Sequence, residues 1–135
     1  MKIVIAPDSF KGSLTALEVA ESIQRGIKNA DESIETLIVP MADGGEGTVQ
    51  SLIDATGGQI IEVSVHDPLN REIKSFYGIM GDEVTAVIEM AAASGLPLLQ
   101  IEERNPLLTS TFGTGELIKD ALNRGCRSFI IGLGG

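Results

Sequence analysis

One cysteine, one histidine, one tyrosine and no tryptophan appear among the 135 residues of this sequence. A single Cys126 cannot support a disulfide framework, which leaves a reducing setting as the expectation. Bases are also scarce. Ten Lys and Arg stand against nineteen Asp and Glu, a formal net charge of −9, so the basic face that duplex nucleic acid requires is missing. No run approaches the roughly 18 apolar residues that cross a bilayer. The opening Met-Lys-Ile-Val-Ile-Ala stretch is halted by Pro7 and Asp8 before it could serve as a signal peptide. A cytoplasmic chain with neither nucleic-acid nor membrane partners is therefore expected. What is plentiful is glycine, 16 residues, within a composition that is 43% hydrophobic. That apolar content belongs to a packed domain rather than a disordered segment.

The hydrophobic pattern reads as α/β. Lys2–Ala6 is a short apolar run closed by Pro7 and predicts a buried strand. Thr15 and Glu18 form a capping-box pattern ahead of Ala16, Ala20, Ile23 and Ile27, one face of a helix that Gly26 and the polar stretch 28–33 should end. A second strand follows at Thr36–Val39, stopped by Pro40. Strand, long connection with helix, strand implies a parallel βαβ unit of Rossmann or flavodoxin-like kind. Val49, Leu52 and Ile53 predict another helix, ending at Gly57-Gly58. The period then changes to two: Ile61, Val63 and Val65, then Ile73, Ser75, Tyr77 and Ile79, then Val84–Met90 after the Gly81-Asp82-Glu83 turn. Residues from about 59 to 90 are thus expected to be locally antiparallel, with domains at 1–58 and 59–135. A helical piece at Ala91–Ser94, a loop to Ser110, a helix over Gly113–Gly125 and a strand at Phe129–Leu133 complete the reading.

Three apolar strands run into loops rich in glycine, hydroxyls and acid: Pro7–Ser13, Asp43–Thr48 and Gly132–Gly135. In an open parallel sheet such loops gather at the carboxyl ends of the strands, where ligands bind. The first two loops would bring Asp8, Lys11, Asp43 and Glu46 to one edge. Glycine lets backbone N–H groups approach phosphate oxygens, and the N-terminus of a following helix adds partial positive charge. Lys11 is the natural counter-charge to an anion. Asp8, Asp43 and Glu46 are hard oxygen ligands suited to Mg²⁺, and one of the aspartates could instead take a proton from a substrate hydroxyl. Other readings stand beside these. Gly44-Gly45-Glu46-Gly47 matches neither a Walker loop nor a dinucleotide fingerprint, and Asp-Gly-Gly is also a tight-turn sequence. Thr114 could cap its helix, His66 is expected exposed in a polar turn, and Cys126 is expected to be a buried thiol.

Four motifs taken together resemble the bacterial-type glycerate kinases: Ala-Pro-Asp-Ser-Phe-Lys-Gly-Ser-Leu at 6–14, Pro-Met-Ala-Asp-Gly-Gly-Glu-Gly-Thr at 40–48, Ile-Glu-Met-Ala-Ala-Ala-Ser-Gly-Leu at 88–96 and Thr-Phe-Gly-Thr-Gly-Glu-Leu-Ile at 111–118. The closing Gly-Leu-Gly-Gly at 132–135 is similar too. The resemblance implies a two-domain α/β kinase that transfers the γ-phosphoryl group of ATP to D-glycerate with Mg²⁺, giving 2- or 3-phosphoglycerate. By position it implies that the motif residues, among them Asp8, Lys11 and Asp43, lie near the cleft between the domains without fixing individual roles; Asp8, Lys11 and Asp43 are expected to be catalytic. Substrate or phosphate contacts are expected from Ser9, Gly12, Gly44, Gly45, Glu46, Glu89, Ser94, Thr114, Glu116, Gly134 and Gly135, with Asp43 and Glu46 facing the metal. Asn70 stands where the family turn has glycine, and a positive φ is expected there. Members of that family are much longer, so the chain is expected to be an N-terminal portion, with apolar surface that favours self-association; the alternative is a non-catalytic truncated α/β module that at most binds an anionic ligand.

Overall fold

Thr15 starts the first helix as its spacing to Glu18 foretells. Its Oγ1 accepts the Glu18 N–H at 3.3 Å while its own N–H donates to Glu18 Oε2 at 2.8 Å. This reciprocal cap satisfies two backbone donors that a helix start otherwise leaves open. The chain is described here by a computed structural model covering residues 1–10 and 13–134. It folds as two compact units, Met1–Asp43 and Gly44–Gly135.

In the first unit β1 (Lys2–Ile5) and β2 (Glu35–Ile38) pair in parallel, Lys2 opposite Glu35 and Ile5 opposite Ile38, joined through α1 (Ala16–Ala30). Ile5, Val19, Ala20 and Ile34 are buried between them. Helix α1 runs past Gly26, contrary to the reading that glycine would end it. A glycine within a helix costs only about 1 kcal/mol relative to alanine, and the exit is fixed further on. There the Lys28 ammonium donates to the carbonyls of Glu32 and Ile34 at 3.0 and 2.7 Å.

The second unit is built on a four-stranded sheet in the order β3 (Gln59–His66), β4 (Glu72–Ile79), β5 (Thr85–Glu89), β6 (Ser128–Gly132). The first three strands are antiparallel neighbours, as the alternating pattern predicts, while β6 lies parallel to β5 with Thr85 opposite Ser128. Helix α2 (Thr48–Thr56) was expected with residues 1–58, yet it packs on this sheet, where Val49 and Ile53 meet Val87. The composition shift near Gly57 marks the start of the ladder instead. On the opposite face Val65, Tyr77 and Ile88 pack against Ala93 of the single-turn α3 (Ala91–Ser94) and Leu117 and Ala121 of α4 (Phe112–Asn123). Cys126 is buried in that same cluster, as anticipated. The fully buried Tyr77 donates its hydroxyl to Asp120 at 2.9 Å, and burial pushes its ionisation well above the ordinary range. Tyr77→Phe is expected to lower stability by about 1 kcal/mol, measured by denaturant titration.

The turn from β3 to β4 takes the shape expected of its residues. Asn70 adopts φ 63°, and the buried Asp67 organises the corner. Its Oδ1 accepts the Leu69 and Arg71 N–H groups at 2.8 and 2.9 Å, and Oδ2 accepts Arg71 Nε at 2.6 Å. Arg71 then reaches Glu103 at 2.8 Å and the Leu98 carbonyl at 3.1 Å, tying a distant loop to the hairpin. Burial pushes the Asp67 carboxyl up, but the hydrogen bonds from Arg71 and Leu69 outweigh it and hold the group below its ordinary value. The depressed value stabilises the fold above the unfolded pKa of about 3.9, and that contribution is lost as pH falls through the folded value. Asp67→Asn should therefore flatten the loss of stability below about pH 4, checked by denaturation across an acid series.

Candidate functional site

Strands β3 and β5 both run antiparallel to β4, and β6 runs with β5. The carboxyl ends of β3, β5 and β6, at His66, Glu89 and Gly132, therefore share one edge of the sheet. The Met90 N–H donates to the Gly132 carbonyl at 2.9 Å, and the Gly134 N–H donates to the Gly44 carbonyl at 3.1 Å. The Gly44–Gly47 loop is thus laid directly against the end of β6. Side chains are excluded by proximity: a Cβ on Gly134 would lie 2.8 Å from the Gly45 nitrogen. Glycine here serves backbone-to-backbone approach.

Glu89, at the end of β5, is only 4% exposed. Its Oε1 accepts the Val49 N–H at 2.7 Å, while the Thr48 N–H donates to the Gly45 carbonyl at 3.2 Å. These are the open donors at the start of α2, whose N-cap is Gly47 at φ 90° and offers no side chain. Burial pushes the Glu89 carboxyl up, the amides oppose this, and the nearby Glu46 charge adds to it. Beside it Thr48 Oγ1 is buried without a hydrogen-bond partner among the described residues.

Ser94 and Thr114 meet at the same edge, their hydroxyls 2.7 Å apart, and Thr114 Oγ1 lies 3.5 Å from the Met90 carbonyl. Thr114 does not cap α4, because that helix begins after Thr111. Glu116 turns instead to the end of β3. Its Oε2 accepts the His66 N–H at 2.7 Å, and His66 Nδ1 lies 3.0 Å from both carboxylate oxygens. A carboxylate only accepts, so Nδ1 carries the proton. The Phe112 ring stands edge-on to the imidazole at 5.9 Å. His66 is therefore half-buried and paired, not the exposed turn residue expected from sequence. No spacing could have shown this, since 50 positions separate the partners.

A groove of about 340 Å³ opens on the α2 side of the sheet, lined by Glu46, Gly47, Gln50, Glu62, Lys74 and Glu89 together with Ile60, Ser75 and Phe76. Lys74 is the one base on that lining, and it escaped the sequence reading. The inward alternation of Ile73, Ser75 and Tyr77 was the available signal, because it turns residue 74 to the other face.

Asp8, Ser9 and Asp43 lie in the first unit. The parallel β1–β2 pairing continues past the strands, with the Val39 N–H donating to the Ile5 carbonyl at 2.8 Å and Met41 to Pro7 at 2.9 Å. Asp8 follows Pro7 directly and Asp43 lies two residues past Met41, at the carboxyl ends of that pair. Asp8 Oδ1 accepts the Ser9 N–H at 2.6 Å, a local turn contact. Lys11, Gly12 and Gly135 lie outside the described residues. The expected residues of the second unit (Gly44, Gly45, Glu46, Glu89, Ser94, Thr114, Glu116 and Gly134) come together along its strand-end edge. No described helix is long and apolar enough to cross a membrane.

The profile of the glycerate kinase family matches residues 3–135. The chain is 62% identical over 135 residues to a glycerate kinase of Haemophilus influenzae, covering all of this chain and 36% of that protein. It is 52% identical to glycerate 2-kinase of Escherichia coli, covering all of this chain and 35% of the relative. The crystal structure of a glycerate kinase 2 from Salmonella typhimurium LT2 superposes with a TM-score of 0.83 at 52% identity, over all of this chain and 36% of that one. The chain thus spans about a third of the length of these relatives. Four motifs, a mixed α/β fold and a match across nearly the whole sequence agree: the chain belongs to the glycerate kinase family.

Proposed function

We propose that the chain forms part of an ATP-dependent kinase acting on D-glycerate. The observation that carries this is the gathering of Glu46, Glu89, Ser94, Thr114 and Glu116 at the carboxyl ends of β3, β5 and β6, inside a chain that belongs to this family. In the proposed reaction the bond between the γ-phosphorus and the β,γ-bridging oxygen of ATP breaks. A new bond forms to a glycerate hydroxyl, whose proton passes to a base, Asp8 or Asp43, and ADP leaves. The name of the Escherichia coli relative, glycerate 2-kinase, favours the 2-hydroxyl and 2-phosphoglycerate. Ser9, Gly12, Gly134 and Gly135 remain proposed ligand contacts.

The donor set fits Mg²⁺. Asp43 and Glu46 are exposed carboxylates three residues apart in the sequence. They would hold the ion, which takes one or two carboxylates and leaves the remaining positions to water and phosphate oxygens. Among the described residues no group of three acidic, histidine or cysteine side chains converges. When bound, Mg²⁺ neutralises charge on the phosphates. The side chains supply position and charge, the dominant contributions in phosphoryl transfer. A cytoplasmic setting and self-association belong to the same reading; for the latter the support is exposed Leu107, Leu108 and Ile101.

The test is ATP-dependent phosphorylation of D-glycerate by this sequence within a chain as long as its relatives. Turnover is expected there. Lys11→Ala should cut kcat by about 10²–10³, the usual cost of losing one charge-stabilising donor. No ATP consumption with D-glycerate would overturn the proposal, and near-normal turnover in the variant would remove Lys11 from it.

A further inference from the structure

A glycine-rich loop opening a helix is the standard arrangement for gripping phosphate, because the first amides of the helix point outward unpaired and the helix dipole favours negative charge. The Gly44–Gly47 loop and α2 have that outline, but the Thr48 and Val49 amides are already taken. The Val49 N–H reaches Glu89 Oε1 at 2.7 Å, and the Thr48 N–H donates to the Gly45 carbonyl at 3.2 Å. Glu89 comes from β5, 40 positions away, and is almost wholly shielded from water. A phosphate entering this position would face an internal carboxylate that already holds the Val49 donor. The loop is held from its other side too, by the Gly134 N–H on the Gly44 carbonyl.

We infer that Glu89 is a positioning residue: its carboxylate serves as the built-in anion at the start of α2, fixes the Gly44–Gly47 loop and keeps phosphate out of it. The loop then meets its ligand through the outward Glu46 side chain, a surface for a cation or a hydroxyl. The phosphoryl groups of ATP must be gripped elsewhere. This rests on the proposed kinase reading only for its meaning to catalysis, since the capping itself needs no turnover.

The test uses the ¹⁵N-labelled chain, inorganic phosphate as the probe, and the variants Glu89→Ala and Glu89→Gln. In the parent chain the Gly47, Thr48 and Val49 amide resonances are expected to stay put as phosphate is added at millimolar concentration. In Glu89→Ala the Val49 amide should exchange with solvent roughly tenfold faster or more, and the Gly47, Thr48 and Val49 resonances should shift saturably with phosphate. Glu89→Gln keeps an acceptor and should restore most of the protection, an outcome that a purely space-filling role would not produce. Saturable phosphate shifts at these amides in the parent chain would overturn the inference, as would unchanged exchange in Glu89→Ala. If the alanine variant does not fold, the phosphate titration of the parent chain still decides. Failure here leaves the kinase proposal standing, and an inactive long chain leaves this inference standing.

Discussion

Replacing Leu117 with alanine is expected to destabilise the second unit by about 2–5 kcal/mol, the range for emptying a fully buried leucine site. Leu117 is entirely shielded from solvent and packs in the cluster with Val65, Tyr77, Ile88, Ala121 and Cys126. Its neighbours come from β3, β4, β5 and α4, so no single element can shift to fill the void without disturbing another. Whole domains are stable by only about 5–15 kcal/mol, so the loss should lower Tm by roughly 10 °C or more. The molecule carries its own reporter. Tyr77 is its one tyrosine and there is no tryptophan, so intrinsic fluorescence follows the second unit without interference from the first. A loss below about 1 kcal/mol by that signal would mean that the cluster closes over the gap, against the rigid packing inferred here.

Gly113→Ala should also destabilise, by about 1–3 kcal/mol, the usual cost of overpacking, although alanine is the better helix former. A Cβ at this position would run into the His66 carbonyl and press on Ala93 at 3.4 Å. The backbone cannot yield cheaply, because the neighbouring His66 N–H and ring are held by Glu116 in the same helix. Gly115, two positions on, has nothing within 4 Å of its would-be Cβ. Gly115→Ala is therefore expected to stabilise by about 0.5–1 kcal/mol through propensity alone. Opposite signs for two glycines in one turn of α4 separate steric approach from helix propensity. Denaturant midpoints at constant slope measure both. Equal stabilisation by the two variants would show that α4 can lift off β3, and the His66 ring signal would then move with it.

Local chemistry was legible in the sequence and long-range chemistry was not. The Thr15–Glu18 box, the alternating strands over residues 59–90 and the left-handed Asn70 turn each depend on neighbours within a few positions, so their residue types announced them. Gly26 misled because a helix can absorb one glycine when later contacts fix its exit, as those of Lys28 do. The division between units was blurred because α2 carries no mark of which sheet it will cover; only the packing of Val49 and Ile53 on Val87 decides that. Glu89 was named by its motif, but its partner was hidden, since the Val49 amide it holds lies 40 positions away. A similar separation concealed the His66–Glu116 pair and made His66 look like an ordinary turn residue. Lys74 was overlooked for a different reason. Lone lysines on outward strand positions are ordinary, and only the groove beside Glu46 sets this one apart.

The parallel pairing of β6 with β5 has a consequence for the order of events in folding. β3 and β4 are joined by a tight turn and can zip locally, whereas opposing residues of β5 and β6 are separated by more than forty positions of chain. Closing so long a loop must precede any reward from the ladder, which slows that step. β6 is therefore expected to dock last, and with it the Gly132–Gly134 segment that clasps the Gly44 loop. In pulse-labelled hydrogen exchange during refolding, the Val63 amide should gain protection before that of Ile130; simultaneous protection would refute the sequence of events. The strand-end edge would then be the final part of the second unit to take shape, and only a chain that has finished its sheet could present it.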